Sequence, residues 1–475
     1  MNRCFEFPTK LLVFISCIVS ISRGVTARET PQANALRHRR VSERREGAHL
    51  ICHRGGVEFA HENTLEAYRA SFELGGDGNE IDVRQTRDGV LVCFHDDMID
   101  HLLEGYGDVS EYLWEDLQKL KFRDPGKFGR YTRIPTLREV FELHREHSGL
   151  MFLDIKRPGL NEAIGKLLDE YDMWDHVVHA PGDFSDPRIK RTRSRAGMYL
   201  DRTEVDDEAI AKVLTLPGER ILLEYPQLVA RALGRNVGPA SERPVKDEIA
   251  VWATSESPRD SRSTEELVRI LVDAEDWDVV AKGESDEKRS ADRILERAKA
   301  ADELGRRGIA SPEIIAALEE RVRKRSLHRD WRYCGLDGCS ALRGLIALKA
   351  TNGAKLARFC LWRDDPLIER ARNPEWDNPR AWTDFRTKLP VFKMLESLPG
   401  SETEAICRDY LALSDEAAKE IGIPQFEEAA RCLLEISPLE STITELKQHR
   451  LSVVRGRARL FELGRSDVDL SSKAD

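Results

Sequence analysis

Ala48-His49-Leu50-Ile51-Cys52 runs without a break into His53-Arg54-Gly55-Gly56, a short apolar run that stops at a basic, glycine-turned corner. A run of this length suits a buried strand, and two glycines directly behind it mark a turn. Similar runs recur at Glu80–Val83, Leu150–Ile155, His176–His179, Met198–Leu200, Ile221–Tyr225, Ile249–Ala253 and Trp277–Ala281. Amphipathic stretches such as Thr64–Leu74 and Leu137–Arg145 lie between most of them. Strands alternating with helices predict a parallel sheet, and eight units over about 240 residues suit a closed (β/α)8 barrel. An open doubly wound sheet would share that strand count. Val90–His95 is strand-like too, but Thr86-Arg87-Asp88-Gly89 leaves no room for a crossover helix, so it reads as a hairpin return.

Beyond about residue 284 the strand-like runs stop. Helical stretches follow at Ser290–Leu304, Pro312–Arg325, Ala341–Leu348, Asp384–Leu398, Glu402–Leu413, Phe426–Glu435 and Thr442–Phe461. Pro312 and Pro424 sit near helix starts, where a missing N–H costs nothing. The expected division is an α/β barrel over 48–284 and an all-α helical C-terminal domain over 285–475. A HEAT-like stack is one form these helices could take, although no clean repeat period is visible. At the other end, Arg3 and Lys10 precede the apolar run Leu11–Ile21 and then Val25-Thr26-Ala27. That is the pattern of a secretory signal peptide over 1–27, too short to span a bilayer comfortably, and the mature chain is expected to be exported, periplasmic or secreted. Residues 28–47 are rich in arginine and poor in apolar side chains, and read as a flexible basic linker.

Composition narrows the function classes. The 475 residues are 33 % charged and 41 % hydrophobic with a formal charge of −10, which excludes collagen-like and disordered chains. The acidic balance argues against nucleic acid as a partner, because that affinity comes mainly from Lys and Arg on phosphates. No other stretch approaches membrane length, so no stable span is expected after signal cleavage. Nine cysteines are too sparse for a disulfide-stapled fold, and no Cys-x-x-Cys pair points to structural zinc.

Polar residues concentrate where the apolar runs end. His53-Arg54 closes the first, Glu80-Ile81-Asp82 lies in the second, the hairpin returns to His95-Asp96, and Asp154-Ile155-Lys156 closes another. Residues i and i+2 of a strand share a face, so Glu80 projects with Asp82 and Asp154 with Lys156. Inward-facing acids at a barrel mouth are costly unless a cation satisfies them. Glu80, Asp82 and Asp154 could hold one hard divalent cation, Mg²⁺ or Ca²⁺, through oxygen. His53 and His95 suit paired general acid and base work near neutral pH, with either in either role. Arg54 and Lys156 suit a phosphate, as a planar fork and a point charge. Glu62 and Asn63, just after the first corner, are placed to brace these groups. A lone Glu-x-Asp or Asp-x-Lys is ordinarily a solvated face or a local ion pair; the conjunction at successive strand ends is what points to chemistry.

Together, His53-Arg54-Gly55, Glu62-Asn63-Thr64, Glu80-x-Asp82-Val83, Thr86-x-Asp88-Gly89, His95-Asp96, Ile134-Pro135-Thr136-Leu137-x-Glu139 and Asp154-Ile155-Lys156 resemble the glycerophosphodiester phosphodiesterase family. The resemblance implies a TIM barrel that hydrolyses glycerophosphodiesters to an alcohol and glycerol 3-phosphate with a divalent metal. It implies that His53 and His95 are the acid/base pair, that Glu80, Asp82 and Asp154 bind the metal, and that Arg54 and Lys156 contact phosphate. The chain departs from the family pattern at His61, where proline is usual, and at Asp154, where glutamate is usual. It departs again at His101-Leu102-Leu103, which replaces an arginine followed by threonines. The shorter acid also occurs in the related sphingomyelinase D branch, so phospholipase D-like cleavage of lysophospholipid or sphingomyelin is an alternative. A weakly active barrel serving as a binding platform, with a protein partner for its helices, is a third.

Overall fold

The computed structural model of the chain describes residues 29–199, 219–246, 259–273, 284–362, 385–418 and 423–471, apart from residues 125, 127, 225, 236, 327, 329, 331 and 417. The expected signal peptide and the predicted strands Ile249–Ala253 and Trp277–Ala281 lie outside the described residues. Among those described, seven strands form one sheet: β1 (His49–Cys52), β2 (Gly78–Gln85), β3 (Leu91–Cys93), β4 (Leu150–Ile155), β5 (Val177–His179), β6 (Arg193–Tyr199) and β7 (Glu219–Leu223). Their order is β5-β4-β2-β1-β7-β6, parallel throughout, with β3 paired antiparallel to β2 as the hairpin return. The architecture is α/β: a parallel sheet curled into a half-barrel of the TIM type.

Period-two alternation sorts the sheet into two faces. Ile81, Val83, Met151, Leu153 and Val177 pack outward against Leu65 and Tyr68 of α2 (Leu65–Glu73) and against two helices that follow the short α3 (Trp114–Leu117) in sequence. Those are α4 (Leu137–His147), through Val140 and Phe141, and α5 (Asn161–Tyr171), through Ile164 and Leu168. Ile51, Leu150, Phe152 and Leu222 cluster on the opposite, inner face. Glu80, Asp82 and Asp154 share the parity of that inner face. Thr64 caps α2 by accepting from the Ala67 N–H, and Thr136 with Glu139 forms a capping box on α4. The Ile134-Pro135-Thr136-Leu137-x-Glu139 motif is thus a helix start.

The stretch expected to be a flexible linker is a helix. α1 (Pro31–Arg44) starts at an N-cap, Thr30, with Pro31 in its first turn, and its Val41 is fully buried among Ile51, Leu150 and Val178. Arg37 donates to Glu29 and to the Asp172 carbonyl, Arg44 to Asp77 and the Gly76 carbonyl, and Arg45 to the Asp175 carbonyl. Arginine is a good helix former, and here its charges are spent on loops at the N-terminal ends of the strands. Composition registers the charges but not their partners, which is why it read as a linker.

The helical half begins earlier than expected. Thr264–Val272 buries Leu267 and Leu271 in one apolar core with Leu304, Leu318, Leu342 and Leu433, so this helix belongs with the C-terminal helices and not with the sheet. Helices Glu284–Arg307 and Leu336–Ala347 cross at Gly305 and Gly344, where a Cβ on Gly305 would sit 2.7 Å from the Gly344 Cα. Further along, Tyr410 packs its ring against Phe392 and Phe426 at 5.0 and 5.3 Å.

Between β3 and α4 the chain makes an excursion with its own small core of Ile99, Leu103, Val109, Leu117 and Phe122. This excursion meets the helices. Tyr106 packs on Ile294, Ala298 and Leu336. Asp302 accepts from Arg123 at 2.7 Å, from Arg343 at 2.9 Å and from the Tyr106 hydroxyl. At the edge of the same contact, Lys393 pairs with Asp124 at 2.8 Å.

Candidate active site

The end of β1 turns abruptly. Arg54 has φ 57° and Gly55 φ 98°, and a Cβ on Gly55 would lie 2.8 Å from the Ala67 backbone. Only glycine tolerates that turn against α2, and the turn presents His53 and Arg54 on the inner side. β2 supplies Glu80 and Asp82. β4 supplies Asp154, whose Cα is the register partner of Asp82.

Oxygens of Glu80, Asp82 and Asp154 all lie within 4.8 Å of one another. Asp82 is fully buried; its carboxylate accepts from Asn63 Nδ2 at 2.8 Å and faces Arg54 Nε at 3.6 Å and Lys156 Nζ at 2.9 Å. Asn63 is itself held by the Tyr68 hydroxyl at 2.6 Å. Lys156 also donates to Asp154 at 2.6 Å, so the ion pair on this strand end and the three-acid cluster coexist. Glu62 accepts from Arg54 at 3.0 and 3.1 Å. Asn63 therefore braces an acid, and Glu62 braces the arginine.

Burial, with Asp82 and Asp154 adding to it, pushes the Glu80 carboxyl up to about 7 against the pull of His53 and Arg54. Burial opposes ionisation of Asp82 as well, but Arg54, Lys156 and His95 outweigh it and hold that carboxyl below its usual range. Glu80 Oε2 and Asp82 Oδ1 are buried and make no hydrogen bond of normal geometry among the described residues; their contacts there with His53 Nε2 at 3.2 Å and Lys156 are ion pairs. An anionic, all-oxygen set with two such oxygens fits a hard divalent cation.

Both histidines are held by carboxylates. His53 Nδ1 lies 2.8 Å from Glu224 Oε1, and His95 Nδ1 lies 2.8 Å from Asp96 Oδ1. Asp96 also meets His101 Nδ1 at 3.2 Å, and the His95 carbonyl accepts from Arg84 at 3.0 and 2.6 Å. Burial works against the charged form of His53, yet Glu224 and Glu80 raise it above the ordinary imidazole value. His101 and His95, against burial, hold Asp96 well below the carboxylate range.

Residues 53–180 match the glycerophosphoryl diester phosphodiesterase family. A probable glycerophosphodiester phosphodiesterase 1 of Mycobacterium tuberculosis is 42 % identical over 222 residues, which cover 40 % of this chain and 79 % of that protein. The chain belongs to this phosphodiesterase family. A glycerophosphodiester phosphodiesterase of Caldanaerobacter subterraneus is 40 % identical over 138 residues, 27 % of this chain and 56 % of that one. Among solved structures, a glycerophosphodiester phosphodiesterase from Agrobacterium tumefaciens is similar at 19 % identity and a TM-score of 0.33, covering 39 % of this chain and 99 % of that one. The chain spans about half the length of the first curated relatives it matches.

Within the phosphodiesterase match lie His53, Arg54, Glu62, Asn63, Glu80, Asp82, His95, Asp154 and Lys156, and the structure brings all nine to one end of the sheet. Glu224 lies beyond it, and sequence reasoning missed it. The available signal was the same as elsewhere, an acid closing the apolar run Ile221-Leu222-Leu223. Tyr68, which reaches Asn63 from a helix, carried no signal of its own.

Proposed function

We propose that this chain is a metal-dependent phosphodiester hydrolase that cleaves glycerophosphodiesters to an alcohol and glycerol 3-phosphate. The observation that carries the reading is two carboxylate-braced histidines beside a cluster of three acids, with Arg54 and Lys156 at its edge. Glu80, Asp82 and Asp154 would hold one divalent cation, Mg²⁺ or Ca²⁺, which when bound supplies polarisation of a phosphoryl oxygen and neutralises its charge. Arg54 and Lys156 bind the remaining phosphate oxygens. His53 and His95 divide the proton transfers: one takes a proton from the attacking hydroxyl, of water or of the substrate's own glycerol, and the other gives one to the leaving alcohol. With each Nδ1 on a carboxylate, proton transfer falls to each Nε2, which in His53 faces Glu80 at 3.2 Å.

The test is a panel of glycerophosphodiesters, lysophospholipids and sphingomyelin, assayed with added Mg²⁺ or Ca²⁺ and with chelator. Release of glycerol 3-phosphate that stops with chelator is expected. Turnover that ignores the chelator removes the cation from the mechanism, and turnover of the choline lipids alone moves the reading to a phospholipase D-like enzyme. A metal titration of Asp154→Ala should show weakened binding; unchanged affinity would mean that Asp154 serves Lys156 only.

A further inference from the structure

β7 pairs with β1 in parallel register, Leu50 with Ile221, Ile51 with Leu222 and Cys52 with Leu223, and the ladder continues through the His53 N–H donating to the Leu223 carbonyl at 2.6 Å. The next partners are His53 and Glu224. Leu222 packs on the inner face and Leu223 on the outer one, so alternation returns Glu224 to the inner face, beside the His53 ring. There its carboxylate is buried and meets Nδ1 at 2.8 Å, while Nε2 of the same ring points to Glu80 at 3.2 Å.

We infer that Glu224 is a positioning residue for His53: by accepting a hydrogen bond from Nδ1–H it fixes the ring's orientation and its tautomer, so that Nε2 faces the acid cluster and the reacting phosphodiester. A carboxylate on one ring nitrogen decides which nitrogen is free for proton transfer. His95 has the same arrangement from its chain neighbour Asp96; His53 obtains it from a strand end 171 residues away. Without Glu224 the ring can rotate or carry its proton on Nε2. This inference rests on His53 being one of the two proton-transfer groups.

The experiment compares Glu224→Gln, Glu224→Asp, His53→Ala and the double variant His53→Ala/Glu224→Gln on a glycerophosphodiester with saturating Mg²⁺ or Ca²⁺. Glu224→Gln should lower kcat by about 10-fold or more, up to the roughly 10⁴-fold lost when the carboxylate that sets a general-base histidine's tautomer becomes an amide, with KM nearly unchanged. Glu224→Asp should recover part of that loss. In the His53→Ala background, Glu224→Gln should have no further effect, because its action passes through the ring. A further loss in that background, or a Glu224→Gln enzyme within about twofold of the parent, overturns the inference. If Glu224→Gln does not fold, ¹⁵N shifts of the His53 ring in the parent protein at alkaline pH decide it. A proton on Nδ1 supports the inference, and a proton on Nε2 overturns it. A fully active His53→Ala enzyme would instead sink the acid/base reading itself, which separates the two failures.

Discussion

Glu80 in the sheet and Asp302 among the helices are both buried carboxylates, and their surroundings push them in opposite directions. Burial and two acid neighbours raise Glu80 to about 7. Asp302 stays near 2 in spite of burial, because Arg123 and Arg343 face it and Tyr106 donates to it. Asp302 is saturated by partners from its own half and from the excursion after β3, whereas the sheet half crowds three acids together and leaves two oxygens without a proper hydrogen bond among the described residues. Buried carboxylates crowded on one another, with one of them pushed up, mark a place where a cation or substrate completes the charge balance. One that is fully paired marks scaffold, and its loss is felt in stability.

Replacing the histidines tests the sheet half of that contrast, and the effect should be the largest. His53→Ala and His95→Ala should each lower turnover by about 10²-fold or more, as removal of a general acid or base does, with thermal stability little changed. Near-parental turnover in either variant would detach that ring from the chemistry. Asp302→Ala tests the other half. It strands two arginines in a buried contact and should cost roughly 3–5 kcal/mol in urea unfolding, as breaking one side of a buried ion pair does. A loss below about 1 kcal/mol would show the contact to be dispensable and the contrast overstated.

Acid should separate the halves next. Burial lowers His49 to about 4, His144 to about 3 and His176 to about 4, and all three lie in or against the sheet. A histidine whose folded value is depressed contributes stability that is complete above its ordinary value of about 6.5 and is lost as pH falls from there toward the folded value. Each such ring then removes about 1.4 kcal/mol per pH unit. Asp302, also depressed, keeps its contribution down to about pH 4 and loses it only as pH falls through about 2. Glu80, raised to about 7, and His53, also raised, take up protons in the folded state over the same window and offset part of this loss around the acid cluster. Hydrogen exchange corrected for intrinsic rates should therefore show amides around His49, His144 and His176 losing protection between pH 6.5 and 4 before those around Asp302 in Glu284–Arg307. Simultaneous loss, or helices first, would contradict the partition.

What could be read from the chain was local. The i, i+2 acids of β2, the Asp154–Lys156 strand end, the Thr64 and Thr136 caps and the hairpin at Gly89 all follow from neighbours within a few residues. Glu224 did not, because its meaning comes from the register of β7 on β1. Arg37, Arg44 and Arg45 looked like linker residues because their partners are carbonyls and acids at distant strand starts. Thr264–Val272 falls inside the expected barrel for a similar reason: its amphipathic face fits either neighbour, and only packing with Leu304 and Leu318 decides.

The smallest effect should come from the rim of the contact whose centre is Asp302. Lys393 and Asp124 approach to 2.8 Å, but their side chains are 47 % and 42 % exposed, and Lys393 also pairs with Glu396 at 2.9 Å. Water screens such a pair, and ordering a long lysine side chain costs entropy, so Lys393→Ala should lose only about 0.2–1 kcal/mol. Salt tells rim from centre. At about 1 M ionic strength the screening length falls to about 3 Å, so the cost of Lys393→Ala should shrink toward zero. The cost of Asp302→Ala should stay nearly constant, because no mobile ions reach a buried pair. A Lys393→Ala penalty above about 2 kcal/mol, or one indifferent to salt, would make the rim as structural as the centre and would extend the scaffold out to Asp124.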